Sequence, residues 1–481
     1  MNRRELLQRT ALLALPAWMR TVDAADPAVA GLAHALDGDV VRPGTARYTD
    51  ARQLWDARFD ALRPRAIAYC ANAADVQRTI RWGHRYGIRV VPRSGGHSYA
   101  GYSSGNGVVV ADVSQLDRVS MSGGRARVGA GARLIDVYSA LWQTGVTIPG
   151  GSCPSVGIAG LALGGGIGYS SRYLGLTSDA LRGLRIVTAD GRLLTCDTSQ
   201  NADLFWACRG GGGGNFGMVT DLTFAASSVS TVSRYEIEWP WEQAEQAVAA
   251  WQAFAPHAPD RLFSVLDLIA TNPAAPGARA HVVSGGQFLG SEADLTTLIQ
   301  PLASTGTPIR VKTFTLSYFD AVLHWAGCRD AGSCTDRRIA FKAKSDFVNT
   351  PLPADGIKRL VAGVAARQGR GLGALYLDPY GGAINATPKS ATAFVHRDAL
   401  YSIQYTAQWS GNATQSLGWL NGLYAQMRPY VSGFAYQNYI DPQLPDWQHA
   451  YYGSNLSRLR AVKRKFDPKN AFRFAQSIPL G

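Results

Sequence analysis

Residues 92–106 read PRSGGHSYAGYSSGN, and residues 150–168 read GGSCPSVGIAGLALGGGIG. These two glycine-rich stretches constrain the chain more than any other feature. Glycine lets backbone approach a phosphate or a flat ring closely, because no side chain intervenes and positive φ costs little. Each stretch carries one reactive side chain, His97 in the first and Cys153 in the second. Taken alone, a loop histidine is a hydrogen-bonded surface group and a lone cysteine a buried thiol. In paired glycine contexts, both could be bonded to one flat electrophilic cofactor. Neither run is the dinucleotide fingerprint, because no G-x-G-x-x-G follows a strand with a later acidic residue.

A chain of 481 residues exceeds a single hydrophobic core, so two domains are expected. With 46% apolar and 17% charged residues it has a globular composition. The net charge of +13 comes from scattered basic residues with short clusters such as Lys463–Arg464–Lys465, which argues against a nucleic-acid partner. The first residues, MNRRELLQRTALLALPAWMR, place Arg3–Arg4 ahead of an apolar stretch from Ala11 to Met19, and Val22-Asp23-Ala24 follows. That order reads as a twin-arginine-type signal peptide over residues 1–25, and hence as an exported protein. The alternative is an amphipathic first helix. The apolar stretch is too short to cross a bilayer core of about 30 Å, and no later segment is long enough. No cysteine pair has the spacing and histidine partners of a metal site, so no metal is expected. Cys328 and Cys334, in GCRDAGSC, are candidates for a disulfide in an oxidising compartment. Cys70, Cys196 and Cys208 read as buried thiols.

Residues 66–92 read as a strand, an apolar-spaced helix and a β-branched strand ended by Pro92. Short strands are expected at 106–112 and 125–128, and a helix at 136–143. A hairpin turns at Asp190–Gly191, and a helix, five glycines and a strand fill 201–224. From about Ser228 the character changes. Strands are expected at 234–239, 262–269, 280–288, 373–380 and 399–409, with helices at 241–255, 292–302, 354–367 and 416–427. The remaining stretch between about 310 and 400 carries no readable motif. A last helix, 455–466, stops at Asp467-Pro468.

Four blocks together resemble the berberine-bridge-enzyme-like flavoprotein oxidases, within the vanillyl-alcohol-oxidase-type, or PCMH-type, FAD-binding fold. They are RSGGHSYAG, GGSCPSVGIAGLALGGGIG, DLFWACRGGGGGNFG at 203–217 and YQNYIDPQLPDWQHAYYGSNLSRLRAVKRKFDPKNAF at 436–472. The resemblance implies an α+β fold: a two-part FAD-binding domain of PCMH type with an inserted substrate domain built on an antiparallel sheet flanked by helices. The matching boundaries are 26–228 for the FAD-binding domain, 229–433 for the substrate domain and 434–481 for the C-terminal segment completing the FAD site. It also implies FAD bonded covalently through His97 and Cys153. Arg93, Ser94, Gly95, Gly96, Ser98, Gly157, Gly160, Gly165 and Gly168 would cradle it, the glycines Gly95, Gly96, Gly157, Gly160 and Gly165 through N–H groups around the pyrophosphate. Tyr452 and Asn455 would return to the flavin edge. Val156, three residues after the linked cysteine, implies oxygen as electron acceptor.

For catalysis the resemblance implies Tyr439 as base, helped by Asp378. Tyr376 alternates with Asp378 in YLDPY, and Gln404 stands on the neighbouring strand pattern YSIQYTAQW. A tyrosine titrates near 10, so its phenolate needs a nearby cation or hydrogen bonds. The bland readings are a core aromatic for Tyr439 and a turn-forming aspartate before Pro379 for Asp378. The aromatics Tyr235, Trp239, Trp241, Tyr318, Trp325, Tyr376 and Trp409 suit stacking on sugar rings. The expected activity is oxidation of an alcohol or hemiacetal carbon of a carbohydrate-like substrate, with hydrogen peroxide as co-product. The rivals are a tailoring oxidoreductase of a polyketide, alkaloid or glycosylated metabolite, a dehydrogenase using another acceptor, and a non-catalytic binding protein on the same fold.

Overall fold

The computed structural model describes residues 27–271, 280–334 and 338–481; the signal peptide expected over 1–25 lies outside them. In the N-terminal part, strands β1 (Val40–Val41), β2 (Ala66–Tyr69), β3 (Val90–Arg93) and β4 (Val109–Asp112) form a sheet in the order β1-β2-β4-β3. Helix Ala73–Tyr86 connects β2 to β3. Asn72 caps its first turn by accepting from Asp75 N, and Gly87 ends it at φ 65°. Strand β3 runs through Pro92 rather than ending before it, because β3 is an edge strand and its proline withholds no needed donor.

A second sheet has the order β5-β6-β10-β8-β9, from β5 (Val119–Ser122), β6 (Arg125–Gly129), β8 (Leu181–Val187), β9 (Leu193–Cys196) and β10 (Met218–Ala225). The pair β7 (Val146–Thr147) and β11 (Ser227–Ser228) lies beside it. Strands β8 and β9 form the hairpin expected at Asp190–Gly191.

The chain then enters a seven-stranded antiparallel sheet: β12 (Thr231–Trp239), β13 (Leu262–Ala270), β14 (His281–Phe288), β15 (Arg310–Ser317), β16 (Ala340–Val348), β17 (Gly373–Pro379) and β18 (Tyr401–Trp409). Their order is β15-β12-β14-β13-β17-β18-β16. Helices Ala244–Phe254, Ala354–Ala365 and Thr414–Met427 cover one face. That face is apolar: Leu266 and Leu268 of β13, Leu375 and Leu377 of β17, and Ile403 and Tyr405 of β18 are all buried. Period-two alternation therefore turns Asp267, Tyr376, Asp378 and Gln404 to the opposite face.

Strands β15 and β16 and helix Tyr318–Ala326 occupy the stretch that the sequence left unread. In β16 the apolar pattern is broken by Lys342, Lys344 and Asp346, three charges that are nonetheless buried. Asp441 neutralises both lysines, at 3.1 and 2.5 Å, and Arg428 pairs with Asp346. Partners that distant in sequence cannot be read from the strand itself. Cys328 and Cys334 are joined as a disulfide. Tyr235, Trp239 and Tyr318 are core residues, so burial removes them from the sugar-stacking set.

Candidate active site

The two glycine loops cross each other. A Cβ on Gly95 would meet Gly157 N at 2.3 Å, and one on Gly157 would meet Ser94 Oγ at 2.2 Å. Only glycine permits that approach. At the crossing, His97 Nε2 lies 2.7 Å from Ser155 Oγ, so the histidine of one loop is held by the cysteine-bearing loop. Trp55 stacks on the imidazole at 4.8 Å and 20°. Burial pushes His97 down to about 4, which keeps it neutral, and hence nucleophilic, at physiological pH. The Cys153 thiol is exposed, unlike the buried Cys70, Cys196 and Cys208.

The other cradle residues divide into two groups. The N–H groups of Gly95, Gly96 and Ser98 donate to no protein acceptor among the described residues, and Ser94 Oγ is fixed on Ala130 O at 2.7 Å. Gly160 is exposed with open space where a Cβ would stand, and a Cβ on Gly213 would come within 3.8 Å of the Gly160 Cα. By contrast, the N–H groups of Gly165 and Gly168 bond Ala162 O and Ser171 Oγ. Those two glycines are needed for packing instead, against Phe394 and the Gly150 carbonyl, which corrects the pyrophosphate role expected for Gly165. Arg93 is buried against Asp112, with its Nη1 unsatisfied. Ser98 Oγ accepts from Tyr102 N, and Val156 packs half-buried on the core. Tyr452 donates to Gly211 O at 3.1 Å, while Asn455 donates to the carbonyls of Lys389, Thr392 and Ala393.

Facing the loops is the polar side of the seven-stranded sheet. Register sets Asp267 opposite Tyr376, Tyr376 opposite Gln404, and Asp378 opposite Ser402. Gln404 Nε2 donates to Tyr99 OH at 3.0 Å, and Tyr99 stacks on Tyr439 at 5.5 Å and 6°. Tyr99, Tyr169, Tyr376 and Tyr439 all lie within electrostatic reach of the exposed Cys153 thiol, which raises each of them. Asp378 is pushed up to about 7 by burial, and Tyr376 to about 12. Tyr439 is raised well above its ordinary value by burial and by Asp378. No neighbouring cation offsets those effects, so the phenolate stabilisation that a tyrosine base requires is lacking there among the described residues.

Asp267, Tyr99 and Tyr169 belong to this centre but were missed in sequence. Tyr99 lies inside the first glycine block and Tyr169 directly follows the second, where proximity to the motif was the available signal. Asp267 is one acid in the largely apolar run LFSVLDLIA, and only the strand register shows which face it takes. Trp325 is sandwiched between Tyr169, at 3.8 Å, and the Arg234 guanidinium, 3.6 Å from its centroid, so neither ring face is open for a sugar.

Comparison with known proteins matches this geometry. Residues 64–197 fit the FAD binding domain model, and residues 435–479 fit the model described as berberine and berberine like. An uncharacterized FAD-linked oxidoreductase of Bacillus subtilis, YgaK, is 33% identical over 92% of this chain and 97% of its own. This chain belongs to the berberine-bridge-enzyme-like FAD-linked oxidoreductases. The Gibberella zeae chitooligosaccharide oxidase is 31% identical over 87% of each chain. The solved Physcomitrella patens BBE-like 1 superposes with a TM-score of 0.87 at 34% identity, covering 94% of this chain and 99% of that one. As a berberine-bridge-enzyme-like protein it is an FAD-dependent oxidoreductase acting on CH–OH groups, with the α+β, PCMH-type architecture. The unpaired N–H groups of Gly95 and Gly96, the open side of Gly160 and the neutral His97 fit the FAD that this family carries.

The C-terminal segment closes the site onto the second glycine run. Gly166 N donates to Tyr436 OH at 2.7 Å, Gln437 Nε2 to Gly164 O at 2.8 Å and Asn438 Nδ2 to Leu161 O at 3.0 Å.

Proposed function

We propose that this protein oxidises an alcohol or hemiacetal carbon of a carbohydrate-like substrate, using FAD bonded to both His97 and Cys153 and dioxygen as final acceptor. Bound FAD supplies the two-electron acceptor for the hydride leaving that carbon. The protein's task is then to remove the hydroxyl proton. Asp378, raised to about 7, is half-ionised near neutral pH and well matched to accept it. Tyr439, held neutral by burial, serves as a conduit: it gives its own proton to Asp378 while taking the substrate's. Tyr376 and Gln404, opposite one another on β17 and β18, offer hydroxyl and amide groups for orienting a sugar. The observation that carries this reading is the position of Tyr439, stacked on Tyr99 and within electrostatic reach of both the Cys153 thiol and Asp378. The chitooligosaccharide oxidase among the relatives favours a saccharide over other alcohols. Val156 supports oxygen use, and the leader-like N-terminus together with the Cys328–Cys334 bridge supports export to an oxidising compartment.

Protein precipitated in acid is expected to stay yellow. The double variant His97→Ala/Cys153→Ala releases all flavin, and each single variant keeps one link, read by peptide mass. A colourless wild-type precipitate rules out covalent attachment. A peroxide-coupled screen of mono- and oligosaccharides is expected to give a signal, and silence across all sugars removes the carbohydrate assignment.

A further inference from the structure

Asp378 is not the sole carboxyl on the cleft face of the sheet. Asp267 on β13 stands opposite Tyr376 on β17, and Asp378 follows two residues later on the same face. That diagonal relation puts Cα atoms about 7–8 Å apart, with side chains leaning into the same space. Both carboxyls keep partial solvent contact through the cleft, and neither has an ion-pair partner among the described residues. The groups facing them are Tyr376 of β17, Tyr380 directly after it, Tyr436 and Tyr439 of the C-terminal segment, and Tyr169 just after the second glycine block, with Cys153 beyond. The nearest cation in this set, Arg234, acts on Tyr169 and lies two strands away on β12, as do Glu236 and Glu238. A pair so placed cannot cheaply carry two negative charges, so it titrates as a unit.

We propose that Asp267 is a second carboxyl of the proton-transfer apparatus, sharing one proton with Asp378 and offering it as a hydrogen bond to a hydroxyl of the polyol substrate. The inference rests on Asp378 being the proton acceptor. The two members differ in the required direction: Asp378 is raised to about 7 by burial, and Asp267 to about 8 by burial and by the charge of Asp378. Between about pH 7 and about pH 8 the pair therefore holds one proton, on Asp267. In turnover Asp378 receives the substrate's hydroxyl proton through Tyr439, the hydride pair goes to the two-electron acceptor that bound FAD would supply, and the doubly protonated pair returns one proton to solvent through the cleft. The carboxyls thus end each cycle as they began.

The test is the pH profile of kcat/KM for the flavin-loaded enzyme, using the best sugar from the peroxide screen. Wild type is expected to rise through about pH 7 and to fall above about pH 8, approaching tenfold per pH unit on each limb. Asp267→Asn, which cannot ionise, loses the falling limb and about tenfold in kcat/KM. Asp267→Glu restores the limb. A falling limb that stays in place in Asp267→Asn overturns the proposal. Infrared spectra of the wild-type holoenzyme are an independent readout. The wild-type minus Asp267→Asn difference spectrum should show a protonated carboxyl that disappears with the falling limb, and its absence between about pH 7 and about pH 8 also overturns the proposal. Asp378→Asn separately tests the underlying reading: a loss of at least about a hundredfold at every pH supports it, and a rate near wild type removes it.

Discussion

Asp378 works against the stability of the fold that holds it. Its carboxyl is raised to about 7 from an ordinary 3.8, so between those values the unfolded chain has released a proton that the folded one retains. Stability therefore falls as pH rises from about 4 to about 7 and levels off beyond. Asp378→Asn removes that penalty. The variant is expected to unfold a few degrees higher than wild type at neutral pH, about level with it at pH 4, while losing at least about a hundredfold in turnover. Calorimetry at the two pH values checks the sign, and a lower midpoint at neutral pH refutes it. At this scale the sequence was most legible where a residue type is rare in its context. His97 and Cys153 stood out because glycine loops seldom carry reactive side chains. Asp267 did not, because one acid in an apolar strand resembles an edge-strand charge until the register is known.

Among the elements, the loop crossing and the last helix depend on close fits that can be broken singly. Gly95→Ala drives a Cβ into Gly157 N, where backbone must shift. The expected result is a folded protein with much less covalent flavin, measured as the yellow fraction after acid precipitation; full incorporation would mean the crossing is not tight. Lys463, in helix Leu456–Phe466, is fully buried and donates to Asn215 O, Asp467 and Phe472 O at 2.6, 2.7 and 2.5 Å. Lys463→Met leaves the buried Asp467 carboxylate without its cation, held by the backbone N–H groups of Ala471 and Phe472, and is expected to cost about 3–5 kcal/mol, with Asp467→Asn in the same chain recovering part of it. Denaturant titration of the three proteins reads both numbers. Element boundaries in the sequence were clear where caps and glycines punctuate them, as at Asn72 and Gly87. They were hidden in β16, whose buried Lys342, Lys344 and Asp346 find their charged or polar partners 82 to 101 positions away.

For the whole molecule, the two-part architecture was readable from matched blocks at both ends of the chain. The covering of the large sheet was not, because its seven strands pair out of sequence order and the outermost, β15 and β16, look polar. A chain lacking residues 435–481 is expected to retain no FAD, since Tyr436, Gln437 and Asn438 form one side of the second glycine run. Absorbance of the purified truncation would show this directly, and a yellow product would count against it.

Those three stitches also order events in time. They join residues 270, 273 and 277 positions apart, separations over which chain closure is slow. A ribosome that has finished the first glycine loops still holds back the segment that closes them. Loading of the cofactor is therefore expected after synthesis, and under the proposed double attachment His97 and Cys153 would wait, unreacted, for the last tenth of the polypeptide to arrive.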